Sequence, residues 1–117
     1  MTSSACFRRM ISLEKDAAAR LESQGYIVFR FVDSDFPGNL FASRDDQGLF
    51  ITLMRVHRPH TSSEEVAEYY AKTIRTLRKF PPPKEYHFEI WVFAFATRSW
   101  QYYRIDQDRV VEVDHAG

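Results

Sequence analysis

The sequence has one cysteine, Cys6. A lone thiol cannot close an internal disulfide, so the fold is expected to hold by packing in a reducing compartment, the cytoplasm. It has no excess of either charge, with 16 Lys and Arg against 16 Asp and Glu. Dedicated nucleic-acid binders draw affinity from phosphate neutralisation and are usually basic. The balance argues against a uniformly DNA-coated surface and leaves room for a local basic stripe. Its most apolar stretch, Ile90 to Ala96, is far shorter than the ~20 residues of a membrane-spanning helix. Arg8 and Arg9 lead into Ser12, Glu14, Lys15 and Asp16 rather than an apolar segment, so no signal peptide is expected. There is no repeat, no low-complexity tract, no G-x-S-x-G, no phosphate loop and no dinucleotide fingerprint.

What the chain has in quantity is aromatic side chains: 10 Phe, 6 Tyr and 2 Trp among 117 residues. Such rings supply large apolar area per residue. A chain of this length forms one domain and buries roughly two-thirds of its unfolded surface. Its 27% of charged residues is a globular proportion.

Ser12 is a plausible N-cap, with Glu14 and Asp16 in the first turn, and Leu13, Ala17 and Leu21 recur on one face. Gly25 follows as a C′ residue, so the spacing predicts a helix over 12–24. Tyr26 to Val32 is aromatic and β-branched and reads as a strand. Turn residues 33–38 precede a short strand, Asn39 to Ser43. A polar turn before Gly48 leads to Leu49 to Val56, a nearly continuous apolar run of the kind buried on both faces of a sheet. His57-Arg58-Pro59-His60 breaks that strand. Ser62 with Glu65, or Thr61 with Glu64, offers a capping box for a helix over about 62–79, which Pro81-Pro82-Pro83 terminates. His87 to Ala96 and Trp100 to Ile105 read as paired strands, and Val110 to Val113 as a short edge strand. The order is α-β-β-β-α-β-β, an α/β domain with a mixed sheet of about five strands and helices on its faces. Residues 1–11 form an N-terminal segment, 12–106 the domain, and 107–117 an edge strand and tail.

That order resembles the restriction-endonuclease-like, or PD-(D/E)XK, superfamily, in its Holliday-junction-resolvase-like branch. The residues that carry the resemblance are Glu14 on the first helix, then Gly25-Tyr26-Ile27-Val28-Phe29-Arg30, then Gly38-Asn39-Leu40-Phe41-Ala42 where the family has its Pro-Asp pair. Phe50-Ile51-Thr52-Leu53-Met54-Arg55 stands in the place of the family's (D/E)-x-K strand, and the strands from Phe88 and from Trp100 match its later pair. The resemblance covers residues 12–106. It implies a Mg²⁺ held by acidic side chains, with a lysine on the same strand placing the attacking water. At the matching positions this chain has Asn39, Thr52 and Met54, while Glu14 is retained. Threonine is a poor Mg²⁺ ligand and methionine ligates no hard cation, so the resemblance implies a nuclease-like domain without intact catalytic residues and without a cofactor. Asp33, Asp35, Asp45, Asp46 or Glu89 are the candidates for relocated ligands, with Arg55 for the lysine. Alternation sets Arg55 on the face opposite Met54.

Lys72, Arg75 and Lys79 form a basic stripe on the second helix. With Arg44, Arg55 and Arg58 they are the candidate contacts to a phosphate backbone; a solvated helix face is the bland alternative. His57 and His60 form an H-x-x-H pair with no second ligand pair, so no metal site is read there. Trp91, Trp100, Tyr102 and Tyr103 can stack on bases, but alternating aromatics on paired strands more often pack a core. The leading expectation is a catalytically inactive nuclease-like domain that binds DNA or another protein subunit and no membrane. The alternatives are a metal-dependent nuclease with relocated ligands and an interaction protein that forms a homodimer through its aromatic strands.

Overall fold

The computed structural model describes the backbone of residues 2–31 and 38–115, and the side chains of 12–31 and 38–115. Helix α1 spans Thr2–Ser23, strand β1 Ile27–Arg30, β2 Leu40–Arg44 and β3 Gln47–Val56. Helices α2 (Ser63–Tyr69) and α3 (Ala71–Leu77) follow, then β4 (Tyr86–Ala94), β5 (Ser99–Ile105) and β6 (Val110–Val113). The strands form one sheet in the order β1-β2-β3-β4-β5-β6. Every neighbouring pair is antiparallel except β3 and β4, which run parallel from Gly48↔Tyr86 to Val56↔Ala94.

Antiparallel neighbours can be joined by a tight turn, whereas a parallel pair needs a crossover. Here α2 and α3 supply it and cover one face of β4 and β5. Val66, Tyr70, Ile74 and Leu77 pack there on Phe88, Ile90, Val92, Tyr103 and Ile105. The other face is covered by α1, whose Leu13, Ala17 and Leu21 meet Leu40, Ala42, Leu49, Ile51, Leu53 and Trp91. Residues of β3 alternate between the two cores, Leu49, Ile51 and Leu53 toward α1 and Phe50, Met54 and Val56 toward α2 and α3. A strand with an apolar layer on each side must be apolar throughout, as its sequence is.

Several boundaries differ from the sequence reading. Helix α1 begins at Thr2, so Ser12 lies inside it rather than at its cap. No Gly or Pro occurs before Gly25, and extending a nucleated helix costs little. Its end is as expected. Tyr26 N donates to Leu21 O, Gly25 N donates to Glu22 O, and Gly25 takes φ +90. That is a Schellman cap with Gly25 at C′ and with Tyr26 and Leu21 sharing the core. The single helix over 62–79 is two short helices that meet at Tyr70, with Tyr70 N still donating to Val66 O and Ile74 N to Tyr70 O. The edge strand β6 joins the sheet and brings the strand count, among the described residues, to six rather than about five. The β2–β3 turn is Asp45-Asp46, with Asp45 at φ 53, and Gly48 lies within β3, where a Cβ would meet the Tyr86 ring at 2.9 Å.

The link from β3 to α2 is pinned by polar contacts. Ser62 is the N-cap of α2, its Oγ accepting from Glu65 N at 3.1 Å. The Glu65 carboxylate accepts in return from the Thr61 hydroxyl and the Thr61 backbone N–H, and its Oε1 lies 3.0 Å from His60 Nδ1. Hydrogen bonds from the Thr61 side chain first, then from His60, hold the Glu65 carboxyl well below 4.5, at about 2. A carboxyl held low in the folded state contributes stability that is complete above its ordinary value and is lost as pH falls toward the lowered one. The melting temperature is therefore expected to fall between pH 4.5 and about 2, and Glu65→Gln to flatten that slope in a circular-dichroism series. An identical slope in the variant would remove Glu65 from the account.

Candidate nucleic-acid interface on the α1 face

Alternation along β3 decides which residues share a site with α1. Thr52 is flanked by Ile51 and Leu53, which face α1, so Thr52 lies with Phe50 and Met54 on the other face. Thr52 is buried there, and Met54 packs against the α2–α3 core. Glu14 is on α1, so the structure does not bring it together with Thr52 and Met54. The β3 residues toward α1 at this end of the sheet are Leu53, buried, and Arg55, exposed.

Glu14 Oε1 lies 2.8 Å from Arg30 NH2 at the end of β1, an ion pair without hydrogen-bond alignment. Asn39 is at the start of β2. Its backbone N donates to Ile51 O at 2.8 Å, and its side-chain Oδ1 accepts from Leu53 N at 2.7 Å. The amide oxygen thus takes over the sheet ladder where β2 begins, and it is committed to a backbone N–H. Asn39 and Thr52 are neighbours across the β2–β3 pair, since Leu40 is registered with Ile51.

The six basic candidates do not form one surface. Arg44 closes the end of α1, its NH1 donating to Gln24 O at 2.7 Å and its guanidinium lying 4.4 Å from the Tyr26 ring centroid. Lys72, Arg75 and Lys79 are exposed on and just after α3, on the sheet face away from α1. Arg58 is exposed in the β3–α2 link. Arg55 lies 4.0 Å over the Phe95 ring and borders a cleft of about 560 Å³ between α1 and the ends of β3 and β4. Ser12, Asp16, Arg20, Phe93 and Arg98 line this cleft with it. Arg20 reaches Asp16 Oδ2 at 3.5 Å and lies 5.8 Å from the Trp100 ring centroid, and Trp100 Nε1 donates to the same Asp16 oxygen at 2.9 Å. Arg20 and Arg98 escaped the sequence reading. One sits a turn after Asp16 on a helix and the other in the β4–β5 turn, and no spacing signals their convergence.

The relocated-ligand candidates have other places. Asp33 and Asp35 lie outside the described residues. Asp45 and Asp46 form the β2–β3 turn, at the end of β3 remote from Arg55. Glu89 is fully buried on β4. Its Oε1 accepts from Trp91 Nε1 at 3.0 Å and pairs with His115 Nε2 at 2.7 Å, and its Oε2 takes Arg104 Nε and NH2 at 3.1 and 2.8 Å. Burial pushes its carboxyl up, but the bonds and charge of His115, with Trp91 and Arg104, outweigh that and hold it below the ordinary value. His60 is buried, its Nε2 2.8 Å from the Tyr70 hydroxyl, while His57 packs its ring edge-on to Phe95, so the histidine pair does not converge. Trp91 is core, with Tyr102 as its cross-strand neighbour at a ring distance of 4.6 Å. Among the described residues, no three His, Cys, Asp or Glu side chains come together as a metal would need, and no helix is long and apolar enough to cross a membrane.

No family model and no curated protein matches the chain. Among solved structures it is similar to Hjc, a Holliday junction resolvase from the hyperthermophilic archaeon Archaeoglobus fulgidus. The TM-score is 0.58 at 15% identity, over 86% of this chain and 84% of that one. The likeness shows the fold: the chain has a mixed α/β architecture that matches that of Hjc.

Three substitutions, at Glu89 and Asn39, test what these polar residues do. Removing one partner of a buried ion pair costs several kcal/mol. Glu89→Ala is expected to lower the urea-unfolding free energy by about 3 kcal/mol, partly relieved because Arg104 reaches solvent. A loss below about 1 kcal/mol, the level of one ordinary hydrogen bond, would show that the network is dispensable. Asn39→Ala is expected to cost about 1 kcal/mol and Asn39→Asp almost nothing, because a carboxylate oxygen can still accept from Leu53 N. Equal losses in both variants would refute the ladder role.

Proposed function

We propose that this domain is a DNA-binding relative of the resolvase-like nucleases that does not cleave DNA by their metal-dependent chemistry. The observation that carries this reading is the environment of Glu14. It is paired with Arg30, and the β3 side chains on its face are Leu49, Ile51, Leu53 and Arg55, none of which can ligate a metal ion. A Mg²⁺ ion takes hard oxygen ligands in near-octahedral geometry and usually one or two carboxylates. The described residues offer Glu14 already paired with a cation, while the Asn39 oxygen is held by Leu53 N. This donor set does not fit the ion, and no step is routed through it. Asn39, Thr52 and Met54 then need no catalytic history. Asn39 completes the sheet, and Thr52 and Met54 belong to the far core.

DNA binding rests on two supports. The fold is shared with a protein whose substrate is a four-way DNA junction. The cleft on the α1 face also gathers three arginines against one aspartate in a chain without net charge. Arginine matches phosphate oxygens bidentately and stacks on aromatic rings, which is how Arg20 and Arg55 are held.

The test is a gel series with labelled linear and four-way-junction DNA, with Mg²⁺ or Mn²⁺ present and salt varied. The expected result is a shifted band that fades as salt rises, with no cleavage. Cleavage that a chelator abolishes and repurified protein reproduces would overturn the reading and direct attention to Asp33 and Asp35. A chain that neither shifts nor cuts DNA would point to a protein subunit, a second copy included, as the partner.

A further inference from the structure

Two faces of the molecule carry exposed cations, and they lie on opposite sides of the sheet. The stripe of Lys72, Arg75 and Lys79 was the one visible in the sequence. It follows α2, which bears Glu64, Glu65 and Glu68, with Glu64 and Glu68 exposed and Glu68 four residues before Lys72. The helical layer thus sets acidic residues close to its cations along the chain, with Glu65 itself engaged by Thr61 and His60. On the α1 face Arg55 and Arg98 are exposed and, like Lys72, Arg75 and Lys79, form no ion pair among the described residues; what sets this face apart is that Arg20, Arg55 and Arg98 border one cleft, with Arg20 and Arg55 over aromatic rings. Arg20 is the only one of the three with a carboxylate partner there, at the long distance of 3.5 Å, and that carboxylate also serves Trp100.

Resting on the DNA-binding reading, we infer that the α1-face cleft, and not the α3 stripe, is the phosphate-contacting surface. Arg55 and Arg98 take backbone phosphates, and Arg20 is held in reserve by Asp16. The Phe95 ring beneath Arg55 and the Trp100 ring beneath Arg20 limit the positions of the two guanidinium planes, so less side-chain freedom is lost when phosphate binds. Asp16 acts as a competing anion. Phosphate at Arg20 must displace the Arg20–Asp16 contact, while the Trp100 Nε1 bond keeps Asp16 in place. The site is thus made for a phosphate that is part of a nucleic-acid strand, which spans the roughly 560 Å³ opening and meets several cations at once.

The experiment measures DNA affinity by fluorescence anisotropy of a labelled four-way junction and a labelled duplex across a salt series. The intact chain is compared with Arg55→Gln/Arg98→Gln, with Lys72→Gln/Lys79→Gln and with Asp16→Asn. All substituted side chains are exposed, and circular dichroism checks that each variant is folded. The arginine pair is expected to weaken binding at least about tenfold at moderate salt and to reduce the salt slope by about two. The lysine pair should keep the parent affinity and slope. Asp16→Asn should bind several-fold tighter, because its amide still accepts from Trp100 but no longer competes for Arg20. Loss in the lysine pair with an unchanged arginine pair would overturn the inference and leave DNA binding standing. Absence of binding by the parent chain would overturn both. A mononucleotide that displaces the DNA at equal phosphate concentration would assign the cleft to a small phosphorylated ligand and would also overturn it.

Discussion

The parallel pairing of β3 with β4 is the constraint from which the rest of the architecture follows. Its register runs without interruption from Gly48↔Tyr86 to Val56↔Ala94. Because the two strands point the same way, the chain between them must return the length of the sheet, and α2 and α3 do so across one face. That leaves the opposite face for α1. Both strands then lie between two apolar layers, so Ile51, Ile90 and Val92 are fully buried. The hairpins β1–β2 and β5–β6 extend this centre outward, and their residues are progressively more exposed.

Two polar networks work on opposite faces of this apolar frame, and each holds a segment without regular structure. On the α1 face, Glu89 gathers Trp91, Arg104 and His115, and Gln24 Nε2 donates to His115 O. The chain that follows β6 is thereby fastened to the end of α1. On the other face, His60 joins Glu65, Tyr70 and the Gln101 amide, which bonds His60 through both its oxygen and its nitrogen. A buried ionised or polar group is tolerable only with all its partners in place. Such networks favour one arrangement of the connecting segments over many.

The functional reading depends on which face a residue occupies more than on which residue it is. Glu14 and Met54 belong to the same fold pattern in sequence but are separated by the sheet. Arg55, one residue from Met54, stands with α1 instead. A one-residue step along a strand changes the chemistry a side chain can join. This separation puts Arg55 on the sheet face that α1 covers, the face on which Glu14 pairs with Arg30. It also turns Thr52 and Met54 into packing residues of the far core.

Much of this protein was legible in its sequence. The apolar run of β3, the Gly25 helix stop, the Ser62–Glu65 cap and the element order each follow from local rules, whose causes lie within a few residues. Local rules did not reveal where α1 begins, because no breaker precedes it. They did not reveal the kink at Tyr70, or that Gly48 makes room for the Tyr86 ring. They also could not assemble the α1-face cleft. Asp16, Arg20, Arg55 and Arg98 come from a helix, a strand and a turn, and only the packing of α1 over the ends of β3 and β4 joins them. The sequence by itself determined the elements and the apolar faces, because these arise from periodicity. The tertiary structure alone decided which charges meet, because charges far apart in the chain are brought together only by the burial of the apolar residues between them.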